Sequence, residues 1–174
     1  VTGVVGMSKR YTKTYSDAES FGACVHTMRY GLYEGFVTGS QDGQPVAPLM
    51  GQIKDYDGGA GDYQMGPLSF MLNYPDHCVL YRFLPRSLTA TDAEVVWFVR
   101  GDAVEGVNYQ RDQGTSLWPH TTLEDEYIIM RNSMGVNSRF FEPGPYHPEF
   151  EATLKHFVAW YRKTLSQNCP PTGD

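Results

Sequence analysis

The stretch TTLEDEYIIMRNSMGVNSRFFEPGPYHPEFEATLKHFVAW, from Thr121 to Trp160, decides how the rest of the chain is interpreted. It contains two helical patterns joined by a corner rich in glycine and proline. A threonine, Thr121 or Thr122, predicts the start of the first helix because its hydroxyl can cap free backbone N–H groups, and Gly135 predicts the end. The acids of Glu124–Glu126 would then lie in the first turn, where they complement the helix dipole.

The second helix is predicted to start near Pro148, since proline suits the first helical position, and to end before Pro170 and Pro171. Its apolar residues recur with helical spacing and form one stripe about four turns long. The stripe consists of Phe150, Leu154, Phe157, Val158, Tyr161 and Leu165. Such a helix needs an apolar partner surface, so it is predicted to close the fold.

Upstream of these helices the patterns favour short strands separated by turn signals. The predicted strands are Ala23–Gly39, Tyr63–Leu72, Cys78–Pro85 and Ala93–Val99, and Asp55–Asp62 is predicted as a glycine-rich loop. Short sequential strands form an antiparallel meander. Strands followed by helices predict an α+β fold in which a curved antiparallel sheet grips a long C-terminal helix.

Composition limits the classes of protein to consider. The 174 residues suit one domain spanning residues 1–174, with an N-terminal arm at 1–20 and a C-terminal tail at 166–174. The net charge of −6 argues against nucleic acid and against an anionic membrane as partners. The three scattered cysteines, Cys24, Cys78 and Cys169, do not form a disulfide framework, so we expect a reduced, cytoplasmic protein.

Few residues suggest chemistry by their pattern alone. The five histidines do not pair at helical spacing, and Cys24-Val25-His26 matches only half of a Rieske iron–sulfur motif, which a chance occurrence explains. No nucleophile motif is present. Asp125 by itself reads as a solvated acid that complements the helix dipole. The aromatic strands read first as core and second as the walls of a ligand pocket.

Several segments in order resemble the C-terminal end of Rieske-type non-haem iron oxygenases, the ring-hydroxylating dioxygenase α subunits and their monooxygenase relatives. They are Asp125, Gly135-Val136-Asn137-Ser138, Pro143-Gly144-Pro145-Tyr146 and the closing Trp160-Tyr161. The segment Asp102–Tyr109 and, more weakly, Leu49–Lys54 resemble the branch that oxidises choline, glycine betaine and similar quaternary amines. The resemblance covers most of Tyr30 to Leu165.

The resemblance implies a helix-grip (START-like) catalytic domain. It implies Fe(II) held by two histidines and one carboxylate, a [2Fe-2S] Rieske cluster, and electrons from NAD(P)H through a reductase or ferredoxin. Asp125 matches the carboxylate ligand, which lies ten residues before the family's glycine, here Gly135. Relatives are commonly trimers, so the resemblance also implies a homo-oligomer.

The chain departs from the family because the upstream histidine pair and the Rieske domain are absent and Ser133-Met134 replaces the usual Gln-Arg. Three hypotheses follow. The first is a C-terminal catalytic-domain fragment, inactive and without cofactor by itself, whose complete protein hydroxylates or N-demethylates a small quaternary amine or aromatic substrate. Its pocket walls would include Tyr30, Phe70, Tyr81 and Trp97. The second is a metal-free helix-grip module that binds a hydrophobic or aromatic molecule, and the third is a structural remnant used for assembly.

Overall fold

The computed structural model describes residues 12–16, 25–148 and 151–169 of the chain. Its strands are β1 (Thr12–Ser16), β2 (Val25–Gly31), β3 (Gly59–Met65), β4 (Ser69–Asn73), β5 (His77–Pro85) and β6 (Thr91–Val99). Its helices are α1 (Arg111–Thr115), α2 (Leu117–Val136) and α3 (Ala152–Asn168). None of the helices within these residues is long and apolar enough to span a membrane.

The strands form one sheet in the order of the sequence, and every neighbouring pair is antiparallel. This confirms the predicted meander and the α+β class. Successive side chains of a strand point to opposite faces, so the register assigns each residue to one of two faces. We call the face that carries Tyr30, Phe70 and Tyr81 the inner face. The core lies against it and contains Tyr30, Leu32, Ala60, Tyr74, Val79, Tyr81 and Trp118.

The predicted strand boundaries need four corrections. The predicted strand Ala23–Gly39 ends at Gly31 as β2, and residues 32–39 form turns and irregular structure. The stretch Tyr63–Leu72 is a hairpin rather than one strand, because Gly66 adopts a φ of 72° that glycine tolerates and that turns the chain between β3 and β4. Residues 59–62, predicted as loop, belong to β3 and pair with β2. Thr12–Ser16, inside the predicted N-terminal arm, forms β1.

The first predicted helix begins earlier than its threonines suggest. Helix α2 starts at Leu117, and the side chain of Trp118, only 5% exposed, anchors this end in the core. The Thr121 hydroxyl donates to the Leu117 carbonyl at 3.2 Å instead of capping a free N–H group. The predicted end is close to the observed one, because the helix stops at Val136, one residue after Gly135.

The closing helix α3 starts at Ala152, four positions after Pro148, and continues to Asn168 into the predicted tail. Its aromatic residues contact one another, with 5.9 Å between the ring centres of Phe157 and Trp160. Phe150 of the predicted stripe lies outside the described residues. Leu154, Tyr161 and Leu165 are 42% to 51% exposed, so the described residues leave much of this stripe uncovered.

Candidate functional site

Asp125 lies on the face of α2 that turns toward the sheet. Trp118, Thr122 and Asp125 follow one another at spacings of four and three residues, which places them on one side of a helix. The Trp118 ring contacts Tyr74 and Tyr81, with ring centres 6.1 and 6.4 Å apart. One turn further on, Thr122 lies near enough to the Tyr81 phenol to lower its pKa. The same face then brings the Asp125 carboxylate to the edge of the inner face.

The charge of Asp125 acts on the phenol of Tyr81. Burial and, to a smaller degree, the negative charge of Asp125 raise the pKa of the Tyr81 phenol, while Thr122 opposes the shift. Asp125 itself is solvent-exposed. It is also about two turns from the start of α2, so the predicted position in the first turn is wrong. The helix dipole acts mainly within the first turn and therefore does not explain this acid.

The four residues predicted as pocket walls all lie on the inner face. Tyr30 and Tyr81 are buried in the core, and Phe70 and Trp97 pack against it. Phe70 stacks on Tyr81 with ring centres 4.6 Å apart and planes within 8°. The structure therefore brings Phe70 and Tyr81 together. Trp97 lies on β6 and lines a separate cleft of about 520 Å³, together with His77, Val95 and Tyr109.

Asp62, which the sequence did not single out, lies on the inner face beside the aromatic residues. Its carboxylate accepts a hydrogen bond of 3.2 Å from the Tyr30 hydroxyl. It lines a cavity of about 240 Å³ together with Phe70, Phe83 and Gln64. Burial raises the pKa of Asp62 to about 6, although the hydrogen bond from Tyr30 opposes that shift. At neutral pH the cavity thus contains a poorly solvated negative charge.

Asp76, unlike the half-buried Asp62, is fully buried and is surrounded by donors. Its carboxylate and the ring of His77 are 0% and 2% exposed, and His77 Nδ1 lies 2.8 Å from Asp76 Oδ1. The Thr38 hydroxyl donates to the same oxygen, and the backbone N–H of Val46 donates to Oδ2 at 2.9 Å. Burial opposes the ionisation of Asp76, but these hydrogen bonds outweigh it and lower its pKa.

A metal site needs several ligands that converge on one point. Within residues 12–16, 25–148 and 151–169, no group of three His, Cys, Asp or Glu side chains is close enough to hold an ion. The described residues therefore do not make a complete iron site, and Asp125 contributes at most one ligand to such a site. The prediction that this chain binds no iron by itself remains a prediction.

Comparison with known proteins gives concordant matches. The model of the ring hydroxylating alpha subunit (catalytic domain) matches residues 6–167. The glycine betaine monooxygenase oxygenase subunit of Chromohalobacter salexigens is 34% identical over 146 residues, which are 83% of this chain and 33% of that protein. The subunit of the same name from Pseudomonas aeruginosa is 33% identical over 150 residues, 86% of this chain and 35% of that protein.

The chain therefore spans about a third of the length of the curated relatives that it matches. The family match covers nearly all of it, including the sheet, α2 and most of α3. The resemblance suggested by Asp125 and the segments after it is thus confirmed: the chain belongs to the family of ring-hydroxylating oxygenase alpha subunits and matches their catalytic domain.

Proposed function

We propose that this chain is the C-terminal part of the catalytic domain of a Rieske-type non-haem iron oxygenase. In the complete protein this oxygenase would hydroxylate or N-demethylate a small organic substrate, a quaternary amine or an aromatic compound, with O2. The observation that carries the proposal is the direction of Asp125, which shares the sheet-facing side of α2 with Trp118 and Thr122. The names of the relatives, glycine betaine monooxygenase oxygenase subunits, support a quaternary amine.

In this proposal Asp125 is the carboxylate ligand of Fe(II). Two histidine ligands and a [2Fe-2S] cluster would come from residues outside those described, and a reductase or ferredoxin would deliver electrons. The bound iron would supply the activation of O2. The chain's own residues would orient the ligand, because the contacts of Trp118 with Tyr74 and Tyr81 anchor the helix two turns before Asp125.

The inner face would supply the walls of the substrate pocket. Tyr30, Phe70, Tyr81 and Trp97 present large aromatic surfaces there, which exclude water and attract a quaternary ammonium through cation–π interactions. We also propose the homo-oligomeric, trimeric assembly and the cytoplasmic setting implied by the resemblance. Cys78 and Cys169, both free thiols, are compatible with a reducing compartment.

The test uses Asp125→Ala in the complete oxygenase, with Glu126→Ala as the matched control. Glu126 is the adjacent acid of the same exposed helix turn but lies about 100° further around the helix. Loss of a ligand should lower the iron content by at least about tenfold and abolish O2-dependent turnover, whereas Glu126→Ala should retain both. Equal iron content and turnover in Asp125→Ala and the parent protein would overturn the proposal.

The alternative is a metal-free module that binds a hydrophobic or aromatic molecule. The cavity of about 240 Å³ beside Phe70 and Phe83 favours it, because such a cavity can bind a small ligand without iron. Here Asp125→Ala would leave ligand binding intact, and iron would be absent from the complete protein as well. The iron content of the complete protein therefore separates the two functions.

A further inference from the structure

The cavity beside Asp62 has a composition that neither the family match nor the proposed iron site explains. Its walls are the carboxylate of Asp62, the rings of Phe70 and Phe83, the amide of Gln64, and Pro67 and Ser69 of the β3–β4 hairpin. At about 240 Å³ it is smaller than the roughly 300–1,000 Å³ of pockets for drug-sized ligands. The cavity therefore suits a small molecule or one head group.

Among residues 27–148, whose side chains the structure describes, no charged group pairs with Asp62. The ion pairs there join arginines to acids at the surface, as in Arg29–Asp57 and Arg82–Glu94, or His77 to the buried Asp76, and none includes Asp62. Its hydrogen-bond donor is the neutral hydroxyl of Tyr30. Burial chiefly raises the pKa of that phenol, so Tyr30 stays protonated and adds no charge. Asp62 is half-buried, and a poorly solvated carboxylate without a counter-charge is unfavourable, so the site favours a cation.

Aromatic neighbours decide which kind of cation fits. Phe70 stacks on Tyr81 and lies 5.9 Å from Phe83 between ring centres, so the carboxylate borders a continuous aromatic wall. A strongly hydrated metal ion gains little from such a wall and wants several oxygen ligands. An alkylated ammonium gains from the carboxylate charge, and the aromatic rings stabilise its methyl groups.

We propose that Asp62, with Tyr30, Phe70 and Phe83 around it, forms the subsite that receives a quaternary ammonium head group and selects it over a neutral molecule of the same shape. As an assignment of the substrate pocket, this inference rests on the proposed function. The binding itself needs neither iron nor turnover. Phe70 of the subsite stacks on Tyr81. The charge of Asp125, the proposed metal ligand, raises the pKa of the Tyr81 phenol.

The experiment measures equilibrium binding to the full chain by isothermal titration calorimetry without iron. The probes are choline and 3,3-dimethylbutan-1-ol, in which a carbon replaces the ammonium nitrogen. We expect choline to bind. Asp62→Asn should weaken this binding by about tenfold or more, because the variant removes the negative charge that attracts the cation. The neutral alcohol should bind more weakly than choline and should not distinguish Asp62→Asn from the parent chain.

Two control variants complete the design. Asp57→Asn removes an exposed carboxylate that pairs with Arg29 and should leave choline binding unchanged. Lys13→Gln tests whether the chain itself supplies a cation to Asp62. The backbone of Lys13 pairs with that of Met28, which pairs in turn with that of Asp62. Tighter choline binding by Lys13→Gln would show that the chain's own lysine neutralises Asp62 and would overturn the inference.

Equal choline affinity in Asp62→Asn and the parent chain would also overturn it, as would equal affinity of the alcohol and choline. Circular dichroism of each variant confirms that a lost signal is not unfolding. Failure here would leave the iron test of Asp125 unaffected. The complete protein could also prove to bind no iron and still bind choline in a way that depends on Asp62. That result would support the ammonium subsite and reject the proposed oxygenase.

Discussion

Asp76 is fully buried and Asp62 is half-buried beside a cavity, and the surroundings of these two acids differ in almost every other respect. Asp76 precedes β5 and accepts hydrogen bonds from the ring of His77, the Thr38 hydroxyl and the backbone of Val46. Asp62 lies within β3 and, among the side chains that the structure describes, accepts one, from Tyr30. The first acid has a lowered pKa and the second a raised one, of about 6.

The difference separates an acid that holds the fold together from one that is available to a ligand. A buried carboxylate with several donors is compensated and stabilises the structure that supplies those donors. A half-buried carboxylate with one neutral donor beside a cavity costs stability and is compensated only by a further partner. The two acids should therefore respond in opposite directions to loss of their charge.

The largest effect is expected for Asp76→Asn. The substitution replaces one carboxylate oxygen, an acceptor, by an NH2 group, which donates. Because His77, Thr38 and Val46 donate to this carboxylate, at least one buried donor loses its partner. We expect the free energy of unfolding to fall by about 3 kcal/mol, measured by urea denaturation at pH 7. Asp102→Asn is the control, because Asp102 is 70% exposed and paired with Arg100, and it should change stability far less, since exposed ion pairs contribute little. A similar small loss in both variants would remove the comparison.

A smaller effect of opposite sign is expected for Asp62→Asn. Because the pKa of Asp62 rises on folding from 3.8 to about 6, the folded chain binds the proton more tightly. Its contribution to stability is therefore present at low pH and is lost as the pH rises from about 4 through 6. The full shift would correspond to roughly 3 kcal/mol, and solvent screening of this half-buried carboxylate reduces the loss to about 2 kcal/mol. At pH 8 the uncharged Asn should thus be more stable than Asp by about this amount.

Urea denaturation at pH 4.5 and pH 8 measures this slope. Tyr30 and Tyr74, the titratable neighbours described around Asp62, have raised pKa values and stay neutral between these two conditions. Choline should stabilise the parent chain at pH 8 and not Asp62→Asn, since only binding to the folded state raises stability. If stability changed equally with pH in the parent chain and in Asp62→Asn, the charge of Asp62 would be compensated in the same way as that of Asp76.

The sheet and its inner face could be predicted from the sequence because alternation and turn residues are local signals. His77–Pro85 and Thr91–Val99 lie close to the predicted strands, and the residues guessed as pocket walls share one face. The roles of the two acids depend on distant contacts instead. Thr38 and Val46 lie 38 and 30 positions from Asp76, and Tyr30 lies 32 positions from Asp62.

Helix α2 shows the same limit in another form. Thr121 and Thr122 carry a strong local capping signal, yet the core contact of Trp118 determines where the helix begins. After Asp125 the helix is apolar on several sides, and Tyr127, Ile128 and Ile129 are about 60% exposed. A helix with apolar residues on several sides is typically enclosed by protein, but its local pattern does not say which residues enclose it.

The smallest effect is expected when the hydroxyl that donates to each acid is removed from its neighbour. Thr38→Val and Tyr30→Phe should each lower the free energy of unfolding at pH 7 by about 1 to 2 kcal/mol. They should differ in the carboxyl pKa that carbon NMR measures. Tyr30→Phe removes the hydrogen bond that opposes the effect of burial, so the pKa of Asp62 should rise further.

Thr38→Val should also raise the pKa of Asp76, but by less. His77 and the backbone of Val46 still donate to that carboxylate, whereas Asp62 loses its one described donor. The comparison therefore predicts that sensitivity to a single hydroxyl decreases as the number of remaining donors increases. An unchanged pKa of Asp62 in Tyr30→Phe would mean that another group already compensates its charge, and the reason to expect a cation in the cavity would be lost.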